Sequence, residues 1–313
     1  MVSRSGRLRT RAVRVVGVAV PAALGVGLMM HASLASSATA TVGQTFVPDA
    51  ADSCIPADFN NTSMELFQTA REDGTSYVVP GDGVITSWSF QGTFLQGSQV
   101  TLRVYRPQPP GPDRFAPVGE GGPVTNLAGD HLTVTLTRIP VRAGDLIGLR
   151  SEVINDVAAG RCASVGSAAD TYRVLAGTAP TGVGVAASYA ATSGLKLDVA
   201  ATVEPDVDHD GYGDQTQDAC PRLSGTQQPC PIPNTTITHQ PASPTRARTA
   251  RFRFTSTVTG ATYRCRLGSH PPFRCASPLV LKVKPGRHTL RVTAHANHAS
   301  DPTPARARWR VRN

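Results

Sequence analysis

Asp206, Asp208, Asp210, Asp214 and Asp218 fall within one short stretch, DVDHDGYGDQTQD, that carries no positive charge. Carboxylates two residues apart around a glycine turn do one kind of chemistry well, which is to wrap a hard cation. Asp206, Asp208 and Asp210 occupy positions 1, 3 and 5 of a calcium-loop pattern, and Gly211 occupies position 6, where such loops turn sharply. Tyr212 then presents a backbone carbonyl at position 7, and Asp214 falls at position 9. Without a cation, these like charges repel and oppose the wrap. The expected cofactor is calcium, held by Asp206, Asp208, Asp210, Tyr212, Asp214 and Asp218. The competing account is a solvated acidic linker. An EF-hand is excluded, because position 12 is Gln217 and the flanks are a strand with Pro205 before and Cys220-Pro221 after.

The run DVDHDGYGDQTQDACP, Asp206 to Pro221, resembles a thrombospondin type-3 repeat, including the Cys-Pro that closes the unit. The resemblance implies a calcium-wrapped segment with little regular secondary structure, its metal and cysteines serving as core. A single loop of this kind is expected to bind weakly, at about 10⁻⁴–10⁻³ M.

Other reactive constellations are sparse. The chain has no G-x-S-x-G elbow and no H-E-x-x-H pair. His288 lies on an apolar strand face and is expected to pack there; His295 and His298 share a turn. Asp145, Glu152, Asp156 and Asp170 lie near strand ends and are the carboxylates on which a glycan or ester hydrolase would have to rest.

The elements that must position the acidic loop are strands. Period-two alternation recurs in GVITSWSF (Val84, Trp88, Phe90), QVTLRVYR (Val100, Leu102, Val104), HLTVTLTR (Leu132, Val134, Leu136) and LKLDVAATV (Leu197, Val199, Ala201, Val203). Gly/Pro turns separate these runs. Residues 41–203 are therefore expected to form a jelly-roll-like β-sandwich, and residues 204–230 a calcium-binding linker. Alternation resumes in residues 231–313, at Ala250, Phe252 and Phe254, at Tyr263, Cys265 and Leu267, and at Leu290, Val292 and Ala294. The fold class is all-β. This last block resembles a bacterial immunoglobulin-like module of secreted actinobacterial proteins. Its carriers are Thr235-Thr236-Ile237, Gly260-x-x-Tyr263-x-Cys265, Cys275-x-Ser277-Pro278, Gly286-x-His288-Thr289-Leu290-x-Val292 and Trp309-x-Val311. The resemblance implies a spacing or presentation role without catalysis.

Charge is split along the chain. Residues 41–230 carry 11 Lys and Arg against 21 Asp and Glu, whereas residues 231–313 carry 15 basic residues against the single acid Asp301. Arg251, Arg253, Arg264, Arg266, Arg291, Arg306, Arg308 and Arg310 recur at period two and are expected to line one outward face that attracts a polyanion. An anionic cell-wall polymer or a carbohydrate is the expected partner; a basic composition with no ligand is the alternative. No nucleic-acid reader motif is present, so sequence-specific nucleic-acid binding is not expected.

Residues 1–40 read as a signal peptide: five arginines, the apolar run Val15–Met30, then Ala38-Thr39-Ala40 as a cleavage site. No later segment is apolar enough to span a membrane, so the mature chain is expected outside the cytoplasm. An even six cysteines fit that compartment. Of the fifteen possible connectivities, spacing favours Cys220–Cys230 and Cys265–Cys275, leaving Cys54–Cys162. The combined expectation is a secreted, non-catalytic, calcium-binding protein of the cell envelope. A hydrolase with its site in residues 41–203 and a purely architectural spacer are the alternatives.

Overall fold

The computed structural model describes residues 38–50, 63–127, 129–153, 160–176 and 182–313. Most of the expected leader, Cys54 and Asp156 lie outside the described residues. Among the described residues all regular structure is strand, and no helix is long and apolar enough to cross a membrane.

The first group of strands is β1 (Ala40–Gln44), β2 (Ser63–Ala70), β3 (Gly83–Gln91), β4 (Phe94–Pro107), β5 (Arg114–Leu127), β6 (Leu132–Val141) and β7 (Leu146–Val153). It continues with β8 (Ala163–Val165), β9 (Thr171–Ala176), β10 (Ala187–Ser188), β11 (Ala190–Ser193), β12 (Leu195–Leu197) and β13 (Val199–Glu204). Two antiparallel sheets face each other, in the orders β1-β13-β3-β6 and β10-β5-β4-β7-β2-β9-β11, with β12 and β8 pairing apart. Val100, Leu102 and Val104 from one sheet meet Ile85, Trp88, Phe90, Val199 and Ala201 from the other, all almost fully buried. Alternation along β4 and β13 produces this directly, since every second side chain enters the same layer. On the outer face of the larger sheet, Phe67 stacks on Tyr105 at 4.3 Å beside Phe115 and Tyr189, forming a second apolar cluster.

One expectation is reversed. Leu132, Val134 and Leu136 of β6 are not core residues; they are 55%, 61% and 83% exposed. The β3–β6 register shifts between Ile85 and Ser87, which pair with Ile139 and Leu136, so β6 carries an extra residue there. Alternation along β6 itself stays unbroken through the shift: every even-numbered position from Leu132 to Pro140 is exposed, and Ile139 and Val141 set the inward parity. Thr135 and Thr133 therefore stand opposite the buried Trp88 and Phe90, while the three aliphatics face out.

The second group is β14 (Thr235–His239), β15 (Thr249–Ser256), β16 (Thr262–Leu267), β17 (Phe273–Cys275), β18 (Leu279–Lys282), β19 (Gly286–Ala296), β20 (Ala299–Ser300) and β21 (Ala305–Val311). A sheet β14-β15-β18 faces a sheet β17-β16-β19-β20, in which β21 also pairs with β19. Phe252, Phe254, Cys265, Leu290, Val292 and Trp309 fill the space between. His288 packs as expected, its ring 5.2 Å from Trp309 and its Nε2 2.7 Å from the Lys284 carbonyl. Asn297 and His298 both take positive φ (50° and 60°), as a tight hairpin between β19 and β20 requires.

Cys220–Cys230 and Cys265–Cys275 are bonded, matching the spacing argument. Cys162 is disulfide-bonded and fully buried.

Candidate metal site

The acidic loop is built from the end of β13. Glu204, 2% exposed, closes that strand and anchors the loop beyond it. Its Oε2 accepts hydrogen bonds from the backbone N–H of Gln215 and of Thr216, both at 2.9 Å. Its Oε1 accepts from the hydroxyls of Thr86 (3.0 Å) and Thr216 (2.7 Å). Burial pushes the Glu204 carboxyl up, but these four donors outweigh it and hold the group below the ordinary glutamate range. Gly213 is required at this contact, because a Cβ there would lie 2.5 Å from Thr86 Cγ2 and 2.6 Å from Glu204 Oε2.

The loop then turns on itself. Asp206 Oδ1 and Oδ2 accept the N–H groups of Asp210 (3.0 Å) and Gly211 (2.9 Å), and Gly211 takes φ +85°. One carboxylate oxygen each of Asp206, Asp208 and Asp210 lies within 4.8 Å of the others. Asp214 Oδ1 accepts from the Val207 N–H at 3.2 Å, closing the loop across its base. Cys220 N donates to Asp218 Oδ1 at 2.7 Å, so the Cys220–Cys230 disulfide and its neighbour fix Asp218 beside the turn.

Three oxygens are left over. Asp208 Oδ1 and Oδ2 and Asp218 Oδ2 are buried and make no hydrogen bond, and Asp218 is only 3% exposed. Buried carboxylate oxygens without partners are costly. Burial first, then repulsion from Asp210, Asp218 and Asp206, outweighs the nearby Asp210 N–H and pushes the Asp208 carboxyl above its ordinary range. Asp214 is likewise raised, by burial and by Asp206, Asp208 and Asp218. Oxygen-only and anionic, with both oxygens of Asp208 lacking a donor, the cluster of Asp206, Asp208 and Asp210 could hold a hard divalent ion.

The loop lies along β6. Gln217, at the position where an EF-hand has glutamate, accepts from Gly213 N through Oε1 (3.3 Å) and donates through Nε2 to the Thr137 carbonyl (2.7 Å). The Tyr212 ring lies 4.2 Å from the Arg138 guanidinium. Tyr212 thus has a docking role for its side chain that the sequence did not reveal. Gln227, from the disulfide-closed segment, donates to Asp210 Oδ2 at 2.8 Å.

No family model matches the chain. No curated protein matches it either. Among solved structures, a β-glucuronidase of Faecalibacterium prausnitzii aligns at 10% identity and a TM-score of 0.18, over 85% of this chain and 47% of that one. The chain thus spans about half of that enzyme's length. The tripod from the baseplate of bacteriophage Tuc2009 aligns at 10% identity and a TM-score of 0.18, over 88% of this chain and 98% of that one. Likenesses this distant carry no argument about function.

The other candidate acids are engaged in structure. Asp145 forms a two-point ion pair with Arg106 at 2.7 Å and 2.7 Å and accepts the Arg142 N–H. Asp170, fully buried, pairs with Arg71 and accepts from Glu72 N and Ser167 N. Glu152 pairs with Arg150 and Gln99. His295 Nδ1 is 2.8 Å from Ser300 Oγ and His298 Nε2 is 3.1 Å from Arg222, so the two do not converge on one point.

The eight expected arginines do not share a single face. Arg251 and Arg253 point outward from β15 in the three-stranded sheet. Arg264, Arg266, Arg291, Arg306, Arg308 and Arg310 point outward from β16, β19 and β21 on the opposite sheet. Period two tells which residues face out of a strand but not which of two sheets receives that strand. The same outer face also holds Arg274 and Arg287, which the alternation argument missed.

Proposed function

We propose that this chain is an extracellular, non-catalytic binding protein whose acidic loop is organised by calcium and whose basic C-terminal block engages an anionic polymer at the cell envelope. One observation carries the metal reading: Asp208 Oδ1, Asp208 Oδ2 and Asp218 Oδ2 are buried with no donor. Asp206, Asp210 and the Tyr212 carbonyl complete an oxygen set of the kind calcium takes, and Asp214 braces the loop. The ion would neutralise charges that otherwise repel, and so hold the loop against β6. The partners of Glu204 and Gln217 support this, because they tie the loop to β3 and β6 from outside the cluster. The thrombospondin-type and immunoglobulin-like resemblances point the same way. A module of that kind presents a surface, and the surface here is cationic.

Calorimetric titration of the metal-free chain with calcium tests the reading. The expected result is one site with a Kd of about 10⁻⁴–10⁻³ M, lost in Asp208→Ala and in Asp218→Asn. No heat in the unsubstituted chain, or equal heat in the variants, overturns it.

A further inference from the structure

The outer face of the five-stranded sheet carries its arginines in one continuous band fixed by strand register. Arg266 pairs directly with Arg291, and Arg291 with Arg306, giving a row of three guanidinium-bearing positions across β16, β19 and β21. Arg274 stands opposite Arg264 one step along, at the β17 side. Arg308 and then the Arg310–Arg287 pair continue the band at the β21 side. With strands about 4.8 Å apart and alternate residues about 6.7 Å apart, the band runs obliquely for about 25 Å. All of these arginines are exposed.

Nothing in the block neutralises them. Its single acid, Asp301, is 3% exposed and is used up by the N–H groups of Thr235 and Thr303, each at 2.7 Å. Like charges placed directly opposite one another on a sheet are destabilising, so the chain tolerates a cost here that a bound polyanion would remove. No ring stands among the arginines of the band; the one imidazole of this face, His295 opposite Thr262, lies one row beyond Arg264 at the edge. The band's intervening positions are threonines, Thr289 and Thr293, whereas Tyr263, Phe273 and Trp309 share the inward parity of Ala294, Cys265 and Ala307. Single-stranded nucleic acids bind by stacking successive bases on aromatic platforms, and the band itself holds none. Guanidinium forks match phosphate oxygens two at a time.

We propose that this band binds an extended phosphodiester polymer of a polyol, lying obliquely across β17, β16, β19 and β21. The proposal rests on the polyanion reading above and narrows it to one chemical class and one sheet face. Successive phosphates about 6–7 Å apart would meet successive rows of the band.

The test is binding of the calcium-loaded chain to poly(glycerol phosphate), polygalacturonate and oligo(dT) at matched charge. Poly(glycerol phosphate) should bind at least tenfold more tightly than the other two. Its affinity should fall roughly 50-fold between 50 and 200 mM salt, as neutralisation of about four phosphates implies. The triple variant Arg266→Gln, Arg291→Gln, Arg306→Gln should lose binding by 30-fold or more, with no fall in its unfolding midpoint because a repulsive row has been removed. Arg251→Gln with Arg253→Gln, on the other sheet, should change binding less than threefold. Equal affinity for the three polymers overturns the phosphodiester class and leaves the polyanion reading standing. Unchanged binding by the triple variant, or an equal loss in the β15 pair, overturns the site. No binding to any polymer overturns both.

Discussion

Replacing Glu204 should loosen the acidic loop without touching any metal ligand. The carboxylate accepts four hydrogen bonds while 2% exposed, two from backbone N–H groups that have no other acceptor at hand. Hydrogen bonds to a charged group contribute about 1.5–3 kcal/mol each, and stranded buried donors cost about 1–3 kcal/mol. The four share one acceptor and do not add, so Glu204→Ala should cost about 3–5 kcal/mol. Glu204→Gln keeps the shape and one carbonyl for the two N–H groups, while its amide can donate to the Thr86 and Thr216 hydroxyls; its cost should be about 1–2 kcal/mol. The sign of the pH dependence is set by the same contacts. A glutamate held below its unfolded value contributes stability that is present above about pH 4.5 and is lost as pH falls through the folded value. Glu204→Gln should therefore flatten that acid limb. Urea unfolding at saturating calcium, at pH 7 and again between pH 5 and 3, reads both effects. A Glu204→Ala cost below about 0.5 kcal/mol, or an acid limb identical in Glu204→Gln, would refute the claim that this residue anchors the loop.

Two further outcomes are expected. Asp198 is fully buried, and burial, opposed by the N–H groups of Phe46 and Gln91 and assisted by Asp130, pushes its carboxyl up to about 7. The folded form then takes its proton before the unfolded one, so calcium-saturated chain should gain stability as pH falls from 8 towards 5, and Asp198→Asn should abolish that gain; urea midpoints across this range check it. Leu136→Ser, at an exposed position on β6, should change stability by less than about 0.5 kcal/mol by urea unfolding, whereas a core leucine would cost about 2–5 kcal/mol.

The sequence made the strand layers legible wherever alternation ran unbroken. Val100 to Val104 and Leu197 to Val203 enter the core as their spacing requires. It misled at β6, because alternation shows that Leu132, Val134 and Leu136 share a face but not that Ile139 and Val141, on the other parity, take the inward one. The alternating aspartates and Gly211 marked the acidic turn correctly, since that geometry is local. The contacts that secure the turn are not local. Thr86 is 118 residues from Glu204, and Thr137 is 80 residues from Gln217, so neither partner can be read from the loop itself. Glu204, assigned from sequence to the start of the linker, is the last residue of β13 and the post to which the loop is tied. Asp218 lies off the spacing of Asp206, Asp208 and Asp210, and its carboxylate is held by Cys220 N and not within their cluster. The arginines showed outward parity in sequence, but only strand order separates Arg251 and Arg253 from the rest.

The most direct test of the account is the thermal unfolding midpoint in 10 mM calcium and in excess chelator, measured beside limited proteolysis of residues 204–230. With a Kd of about 10⁻⁴–10⁻³ M, occupancy adds about 1.4–2.7 kcal/mol, or roughly 3–10 °C, and should shield the loop from cleavage. Midpoints within about 1 °C of each other, with the same cleavage pattern, would contradict it.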